Sequence, residues 1–444
     1  MKKLMSIGLL SALLLPLGSR AQAPADWSLK ACIDYGLKNF GTVRVAQYQK
    51  EVAHQQAREA VSGYLPQVNG SGSLDDNIKL QTTVLPAGFA GPEPLRIALG
   101  SKFQTSVSAS VDQPIFDKTL LLGLKANKPN QERADLNERQ TREDVIYSIS
   151  SNYYQVLVAQ EQIALLKDNL NQTEQVLNVL KLQRDNGVIQ PVDFDRTEVN
   201  YNSTKSQLTL AENSLNLALN RLKFQMGMPQ DQNLMVSDSL MQSRLPAIET
   251  NGFEARNLTS FRLSENELTL QRLNLQRTQA GYLPKLSLNA RYGSLALGNE
   301  LGPSLNRFVG FGSVGLRLTV PIFDGFKRDA QIQQSKLNVQ TLQEQQRLNV
   351  ASYQLQFNNA QTQLQKSQTQ VQNDDRNVKL ALKVYEVTTL QYKQGTKPLT
   401  DLINAETSYR QAQTNFVNSL INFYQARLDL EQSQGTLLNF YNQL

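Results

Sequence analysis

The side chains that most often carry catalysis or bind metal ions are scarce in this sequence. Its 444 residues include one cysteine, Cys32, and one histidine, His54, so an intramolecular disulfide and a cysteine–histidine metal cluster are both excluded. The sequence also lacks a phosphate-binding loop and a nucleophile elbow. The paired acids Asp374 and Asp375 fall on the polar face of a predicted helix, where solvated carboxylates are expected. We therefore predict a protein that is not an enzyme, with no catalytic residues, no metal site and no cofactor.

Composition and the N-terminus indicate a secreted, elongated protein. The hydrophobic share is 40% and the mean hydropathy is −0.40, values that exclude a helical membrane protein. The net charge is +6, but lysine and arginine are scattered, so nucleic acid is not an expected partner. Two lysines precede an apolar run and then small residues, which predicts a signal peptide over residues 1–21, cleaved after Ala21. Cys32 lies too far downstream to be a convincing lipid acceptor, and a small buried residue in the first helix is the preferred interpretation.

Two long segments carry the seven-residue repeat of a coiled coil. Residues 326–394 contain neither glycine nor proline, and apolar or aromatic residues recur at every seventh position: Val350, Phe357, Leu364, Val371, Val378, Tyr385 and Tyr392. A sustained heptad keeps one narrow stripe facing a partner helix. The repeat resumes after residues 395–398, where glycine ends one helix and proline sits in the first turn of the next. This pattern predicts a long antiparallel helical pair. The same pattern flanks residues 187–191 and predicts a second pair, whose first helix runs over residues 131–186.

Four further segments alternate polar and apolar residues with a period of two. They predict strands at about 64–74, 103–113, 284–293 and 311–321, while residues 75–100 are predicted to form a loop. Strands of about ten residues are long enough to cross a bilayer when tilted. Four strands cannot close a barrel, and open strand edges are not tolerated in lipid, so several chains are expected to share one barrel.

The strand borders show that the chain contains an internal duplication. Residues 63–66 and 281–284 both read Gly-Tyr-Leu-Pro, and residues 114–117 and 321–324 both read Pro-Ile-Phe-Asp. The repeated order is helix, strand, strand, long helix, hairpin, helix. We predict a first repeat over residues 22–227, an equatorial link over 228–257 and a second repeat over 258–444.

With these borders and the two glycine hairpins, the chain resembles the TolC family of outer-membrane efflux proteins. The resemblance implies a mainly α fold with a transmembrane β-barrel: a homotrimer with a shared 12-stranded barrel, an α-helical barrel and an equatorial domain. It also implies the function of an exit duct in the outer membrane of a Gram-negative bacterium, in contact with outer-membrane lipid, with its helices in the periplasm. Such a duct passively conducts small molecules from a periplasmic adaptor and an inner-membrane pump, expected to be of the RND type.

The resemblance also assigns roles at the helical tips. Carried over by position, Tyr392, Lys397, Asp193 and Asp401 are expected to form a periplasmic gate. Asn404 stands where the family has a second throat acid, so any cation-binding ring is expected to be weaker here. The adaptor is expected to dock on residues of both tips: Gly187, Val188, Pro191, Gly395, Thr396 and Pro398.

Structural interpretations of these residues stay open. Asp193 and Asp401 fall in the first turns of helices, where a carboxylate favours the helix dipole in any case. Tyr392 also continues the coiled-coil stripe. For the whole chain, the alternative function is a periplasm-spanning coiled-coil spacer or adhesin without a channel, and a third is a soluble hydrolase. A spacer would not need the alternating strands that the sequence predicts twice. A hydrolase would need catalytic residues in a recognisable arrangement, and the sequence shows none.

Overall fold

A computed structural model of the chain describes residues 27–85, 87–88, 91–92, 95–236 and 252–444. The predicted signal peptide lies outside these residues, as does part of the predicted equatorial link. The helices are α1 (Leu29–Asn39), α2 (Gly41–Ser62), α3 (Lys118–Lys125), α4 (Asn127–Asp185), α5 (Pro191–Met226), α6 (Thr259–Ala280), α7 (Leu301–Asn306), α8 (Lys327–Lys393), α9 (Leu399–Gln434) and α10 (Leu437–Gln443). The strands are β1 (Gln67–Asp76), β2 (Gln81–Leu85), β3 (Leu95–Leu99), β4 (Phe103–Phe116), β5 (Lys285–Gly298) and β6 (Phe308–Thr319).

Two long helical hairpins dominate the molecule. Helices α4 and α8 contain 59 and 67 residues, which corresponds to about 90 and 100 Å of helix. Each packs against its return helix, α5 or α9. Residues of the predicted heptad seams are buried along these contacts, among them Phe357, Leu364 and Phe423. None of the helices that the structure describes has both the length and the apolar character needed to cross a membrane.

The hydrophobic core lies where the two hairpins meet the first helix. Tyr153 of α4 and Phe423 of α9 are almost completely buried there, and the rings of Tyr154 and Tyr424 stack with their centroids 4.4 Å apart. Cys32 of α1 belongs to the same core and is fully buried. This position agrees with a small core residue and not with an exposed lipid acceptor.

The strands form one antiparallel sheet of four and one separate hairpin. The order in the large sheet is β1-β4-β5-β6, so the two repeats join through β4 and β5. The prediction of a loop over residues 75–100 is wrong, because β1 continues to Asp76 and β2 pairs with β3 inside this segment. The hairpin escaped prediction because its strands have only five residues each, too few for a clear alternation beside the glycines and prolines between them.

Two helix boundaries also differ from the expectations. The helical sequence pattern of residues 27–62 predicts one helix, but the structure breaks it at Phe40, whose backbone is extended (φ −68°, ψ 126°) and whose ring packs edge-on against Phe224. Pro398 does not lie in the first turn of α9 but occupies the N-cap position just before it, whereas Pro191 does begin α5. Both positions suit proline, since neither requires its missing N–H.

Candidate functional site

The large sheet exposes apolar side chains on one face, whereas a polar side chain at the centre of its other face is buried. On the apolar face, Val314 and Leu316 of β6 are 77% and 67% exposed, and Val107 of β4 is 56% exposed. Ser108, the neighbour of Val107 on the opposite face, is only 6% exposed. A sheet in water buries its apolar face instead. Exposed apolar side chains on one face and polar side chains on the other are the pattern of a transmembrane barrel wall, whose apolar face contacts lipid and whose polar face lines the lumen.

Polar side chains form hydrogen bonds and ion pairs across the strands on the polar face of the sheet. The hydroxyls of Ser71 and Ser108 lie 3.0 Å apart, and the Arg291 guanidinium donates to Ser108 from Nη2 and Nε at 3.1 and 3.2 Å. Lys285 Nζ lies 2.9 Å from a carboxylate oxygen of Asp117 at the strand ends. These contacts give a polar, charged lining of the kind that faces water in a barrel lumen.

The sheet ends in two open edges. Among the described residues, β1 pairs only with β4 and β6 pairs only with β5. Each outer strand therefore presents a row of backbone N–H and C=O groups to a further strand. Since unpaired backbone groups cost several kcal/mol each in lipid, the edges require pairing with strands from other chains.

At the other end of the molecule, both hairpins turn through the same backbone motif. Gly187 and Gly395 adopt φ +70° and +71°. The amide of Val188 donates to the Gln183 carbonyl at 2.8 Å, and the amide of Thr396 donates to the carbonyl five residues before it at 3.0 Å. The amides of Gly187 and Gly395 donate to the carbonyls three residues before them, at 2.9 and 3.0 Å, which completes the Schellman motif that commonly ends helices. The glycines are required because φ near +70° is strained for other residues.

A small apolar cluster lies beneath the tips and joins all four long helices. Its buried members are Leu180, Phe194, Tyr385, Leu399, Leu402 and Ala405. Arg184 covers one side of it, with its guanidinium carbon 4.1 Å from the centre of the Phe194 ring and an amino group 3.0 Å from the carboxylate of Asp185. The cluster holds the tips of the two hairpins together within one chain.

The structure brings the predicted gate residues close to the tips and pairs them with partners in the same chain. Lys397 Nζ lies 3.1 Å from Oδ2 of Asp401, one helical turn away. Tyr392 donates from its hydroxyl to Gln183 Oε1 at 3.4 Å, which links α8 to α4. Burial, together with the nearby carboxylate of Asp193, holds the pKa of the Tyr392 phenol above its ordinary value. The link between Lys397 and Asp193 stays a prediction, since it would join neighbouring helix pairs.

The family model described as outer membrane efflux protein matches this chain over residues 34–228 and 257–436. These segments make up most of the chain and include both hairpins and all four strands of the large sheet. The chain belongs to the outer membrane efflux protein family. It is an efflux channel of the outer membrane, with its helical part in the periplasm.

Named relatives of this outer membrane efflux protein have similar lengths. The proteases secretion protein PrtF of Dickeya chrysanthemi is 23% identical, over 97% of this chain and 92% of its own length. The outer membrane protein TolC of Escherichia coli is 23% identical, over 89% of this chain and 79% of its own length. The fold matches the open state of the MtrE outer membrane channel of Neisseria gonorrhoeae with a TM-score of 0.76 at 19% identity, over 92% of this chain and 89% of that one. The expected TolC-like fold is confirmed.

Sequence reasoning missed the polar contacts that join the two hairpins of this channel protein. Thr173 of α4 donates to Glu406 of α9 at 2.7 Å, and Asn169 donates to Gln413 at 3.2 Å. Arg410 of α9 also donates to residues of α5. All of these are polar residues on helices rich in polar residues, so no sequence signal distinguishes them from solvated ones.

Proposed function

We propose that three copies of this chain close into a single exit duct. Four strands from each copy give a 12-stranded barrel, and the helical hairpins of the three copies form its periplasmic shaft. The exposed apolar face of the large sheet carries this proposal, because a large exposed apolar surface marks an interaction site, and on alternating strands of this length it is the pattern of a lipid-facing barrel wall. The two open strand edges support the proposal. In a closed ring of three copies, the outer strand of each copy pairs with the outer strand of the next, so no edge is left open.

We further propose that the tips of the duct act as its gate and as the docking surface for a periplasmic adaptor. Lys397 and Asp401 already form an ion pair there, and Tyr392 and Asp193 lie beside the apolar cluster that holds the hairpins together. Val188 is 69% exposed at the first tip and is available to a partner. In this proposal the adaptor connects the tips to an inner-membrane pump of the RND type.

The cargo class is proposed only as small molecules. The names of the relatives span secretion of proteases and efflux of toluene, so family membership alone does not select a substrate. The family is one of passive channels, and the energy for export belongs to the pump.

The alternative of a coiled-coil spacer or adhesin is not favoured, because the family is one of channels. Substitutions on the two faces of the sheet distinguish a channel from a spacer or adhesin. Ser106 and Val107 are neighbours on β4 and point to opposite faces. In a lipid-facing barrel wall, Val107→Arg costs roughly 2–4 kcal/mol near the bilayer midplane, whereas an arginine on the lumen face is tolerated.

The experiment compares Val107→Arg with Ser106→Arg in outer-membrane fractions. We expect the parent chain and Ser106→Arg to need detergent for extraction and to run as trimers, and Val107→Arg to fail to assemble. A mature chain that is monomeric and freely soluble without detergent would overturn the duct proposal. Equal tolerance of both substitutions would also contradict it.

A further inference from the structure

A single arginine lies in the middle of the polar face of the large sheet. Arg291 is near the centre of β5, and the strand register places it level with Asn69 of β1, Ser110 of β4 and Ser313 of β6. We call these four residues the arginine row. The other three members are neutral, so Arg291 carries the whole charge of a row that crosses all four strands.

The guanidinium of Arg291 is held in place by neutral groups. It donates twice to the buried Ser108 hydroxyl, and its carbon lies 5.4 Å from the centre of the Phe311 ring. Gly293 lies between these side chains, since a Cβ there would be 2.6 Å from the Val107 carbonyl oxygen and 2.9 Å from the Phe311 ring. A glycine is therefore required where the arginine and the ring come together.

The carboxylates of the polar face do not neutralise this charge. Among the residues that the structure describes, none forms an ion pair with Arg291, and its Nη1 has no hydrogen-bond partner. Asp112 of β4 accepts instead from the side-chain amide of Asn289, one row nearer the helices. Asp117 pairs with Lys285 at the strand ends. Arg291 is thus a fixed positive charge with a donor left for an anion.

The internal duplication shows that the strands do not need this charge. Counted from the shared Gly-Tyr-Leu-Pro border, Arg291 of the second repeat corresponds to Ser73 of the first. Counted from the shared Pro-Ile-Phe-Asp border, the other arginine on the polar face, Arg317 of β6, corresponds to Ser110. Serines at the same places build strands of the same sheet, so the basic residues are a property of the second repeat alone.

We propose that Arg291 makes the barrel selective for anionic solutes. This inference rests on the proposed duct, in which three copies repeat the arginine row and surround the lumen with three guanidinium groups. Rings of lysine or arginine favour anions in pores, because they raise the electrostatic potential where the solute passes. The solutes that Arg291 selects are small anions such as carboxylates and phosphates, which guanidinium groups bind well.

The experiment measures the electrostatic potential at the arginine row with a reporter thiol. Ser313→Cys places an exposed thiol on β6 opposite Arg291. The full chain is reconstituted into phospholipid vesicles and treated with anionic sulfonatoethyl or cationic trimethylammonioethyl methanethiosulfonate, at 0.1 M and at 1 M salt. Mass spectrometry gives the two reaction rates. The natural cysteine, Cys32, is fully buried, and the parent chain supplies its background rate.

We expect Arg291 to favour the anionic reagent. A unit charge about 8 Å from the thiol in water, screened over about 10 Å at 0.1 M salt, predicts that Arg291→Gln lowers the ratio of anionic to cationic rates roughly two- to fourfold. Arg291→Met is the substitute if that variant fails to fold, and Arg291→Lys should keep the parent ratio. The matched control Arg317→Gln removes a charge about 13 Å along β6 and should have less effect. At 1 M salt, where screening acts over about 3 Å, the differences should disappear.

The outcomes separate this proposal from the duct itself. A ratio that Arg291→Gln leaves unchanged would overturn the proposal, as would a change that persists at 1 M salt or that Arg317→Gln equals. A Ser313→Cys thiol that reacts with neither reagent would also overturn it, since no solute would then pass the row. Val314→Cys, the neighbour on the apolar face, should be shielded by lipid. If Val314→Cys reacts as fast as Ser313→Cys, the proposed duct fails; if it is shielded and the ratio ignores Arg291, the duct stands without anion selectivity.

Discussion

The buried hydrogen bond between Thr173 and Glu406 offers a quantitative test of how the two hairpins are held together. Thr173 Oγ1 lies 2.7 Å from Glu406 Oε1, and the two residues are 1% and 6% exposed. The same hydroxyl lies 2.9 Å from the backbone carbonyl of Asn169, so its single proton is shared. Thr173→Val keeps the shape of the side chain but removes the donor, which leaves a buried carboxyl group without this partner.

The expected loss of stability in Thr173→Val depends on whether the acceptor, the side chain at position 406, is charged. A hydrogen bond to a charged group contributes about 1.5–3 kcal/mol, whereas a neutral one contributes about 0.5–1.5 kcal/mol. Thr173→Val should therefore cost about 1.5–3 kcal/mol in the parent chain. In a Glu406→Gln background, where the acceptor is a neutral amide, the same substitution should cost about 0.5–1.5 kcal/mol.

The assay is the rate of thermal unfolding in detergent at a fixed temperature, because membrane oligomers usually unfold irreversibly. We expect the contact to be broken in the rate-limiting step of unfolding. Thr173→Val should then unfold roughly tenfold to a hundredfold faster than the parent, because each 1.4 kcal/mol removed from the barrier raises the rate about tenfold. The double variant, compared with Glu406→Gln alone, should show a clearly smaller acceleration. An equal acceleration in both backgrounds, or none in the parent, would refute the argument that this bond joins α4 to α9.

Three further predictions concern the tips and the helix ends. Replacing Asp193 and Lys397 together with alanine should open the periplasmic mouth and raise the conductance in planar bilayers; an unchanged conductance would remove the gate assignment. Gly395→Ala should cost about 1–2 kcal/mol from its positive φ alone, since no described atom would lie within 4 Å of the new Cβ. Gly227→Ala should cost more, because its Cβ would lie 2.9 Å from a backbone oxygen; equal unfolding rates would contradict this. Because the folded pKa of Tyr392 is raised, its contribution to stability should be complete below pH about 10 and be lost as the pH rises through the folded pKa; Tyr392→Phe should abolish that loss in thermal-stability measurements.

The long helices and strands could be predicted from the sequence because each has a repeating pattern. Heptads place Phe357 and Leu364 in a buried stripe, and two-residue alternation separates Val107 from Ser108. Such periods persist over many residues, so single exceptions do not hide them. The tips were predictable for another reason, since a glycine between two heptad segments is needed wherever a helix ends with positive φ.

The features that sequence reasoning missed depend on single contacts. The helix break at Phe40 has no proline to signal it, and the packing of that ring on Phe224 belongs to tertiary structure. The bond from Thr173 to Glu406 spans 233 positions in the chain. No local pattern marks which threonine, among many on these helices, meets a carboxylate on the other hairpin.

The two tips show what the duplication has conserved and what it has left free to change. Both end in the same pair of amide-to-carbonyl bonds, because a left-handed glycine is all that the backbone turn requires. Their charges have diverged: the first tip pairs Arg184 with Asp185 in α4, whereas the second pairs Lys397 with Asp401 across the turn into α9. Since exposed ion pairs such as these contribute little to stability, the fold did not need to keep them alike. Any property that distinguishes one tip from the other, including the neighbour that each contacts, is therefore expected to come from the side chains of the tips, among them these ion pairs and the exposed Val188, and not from the backbone turn.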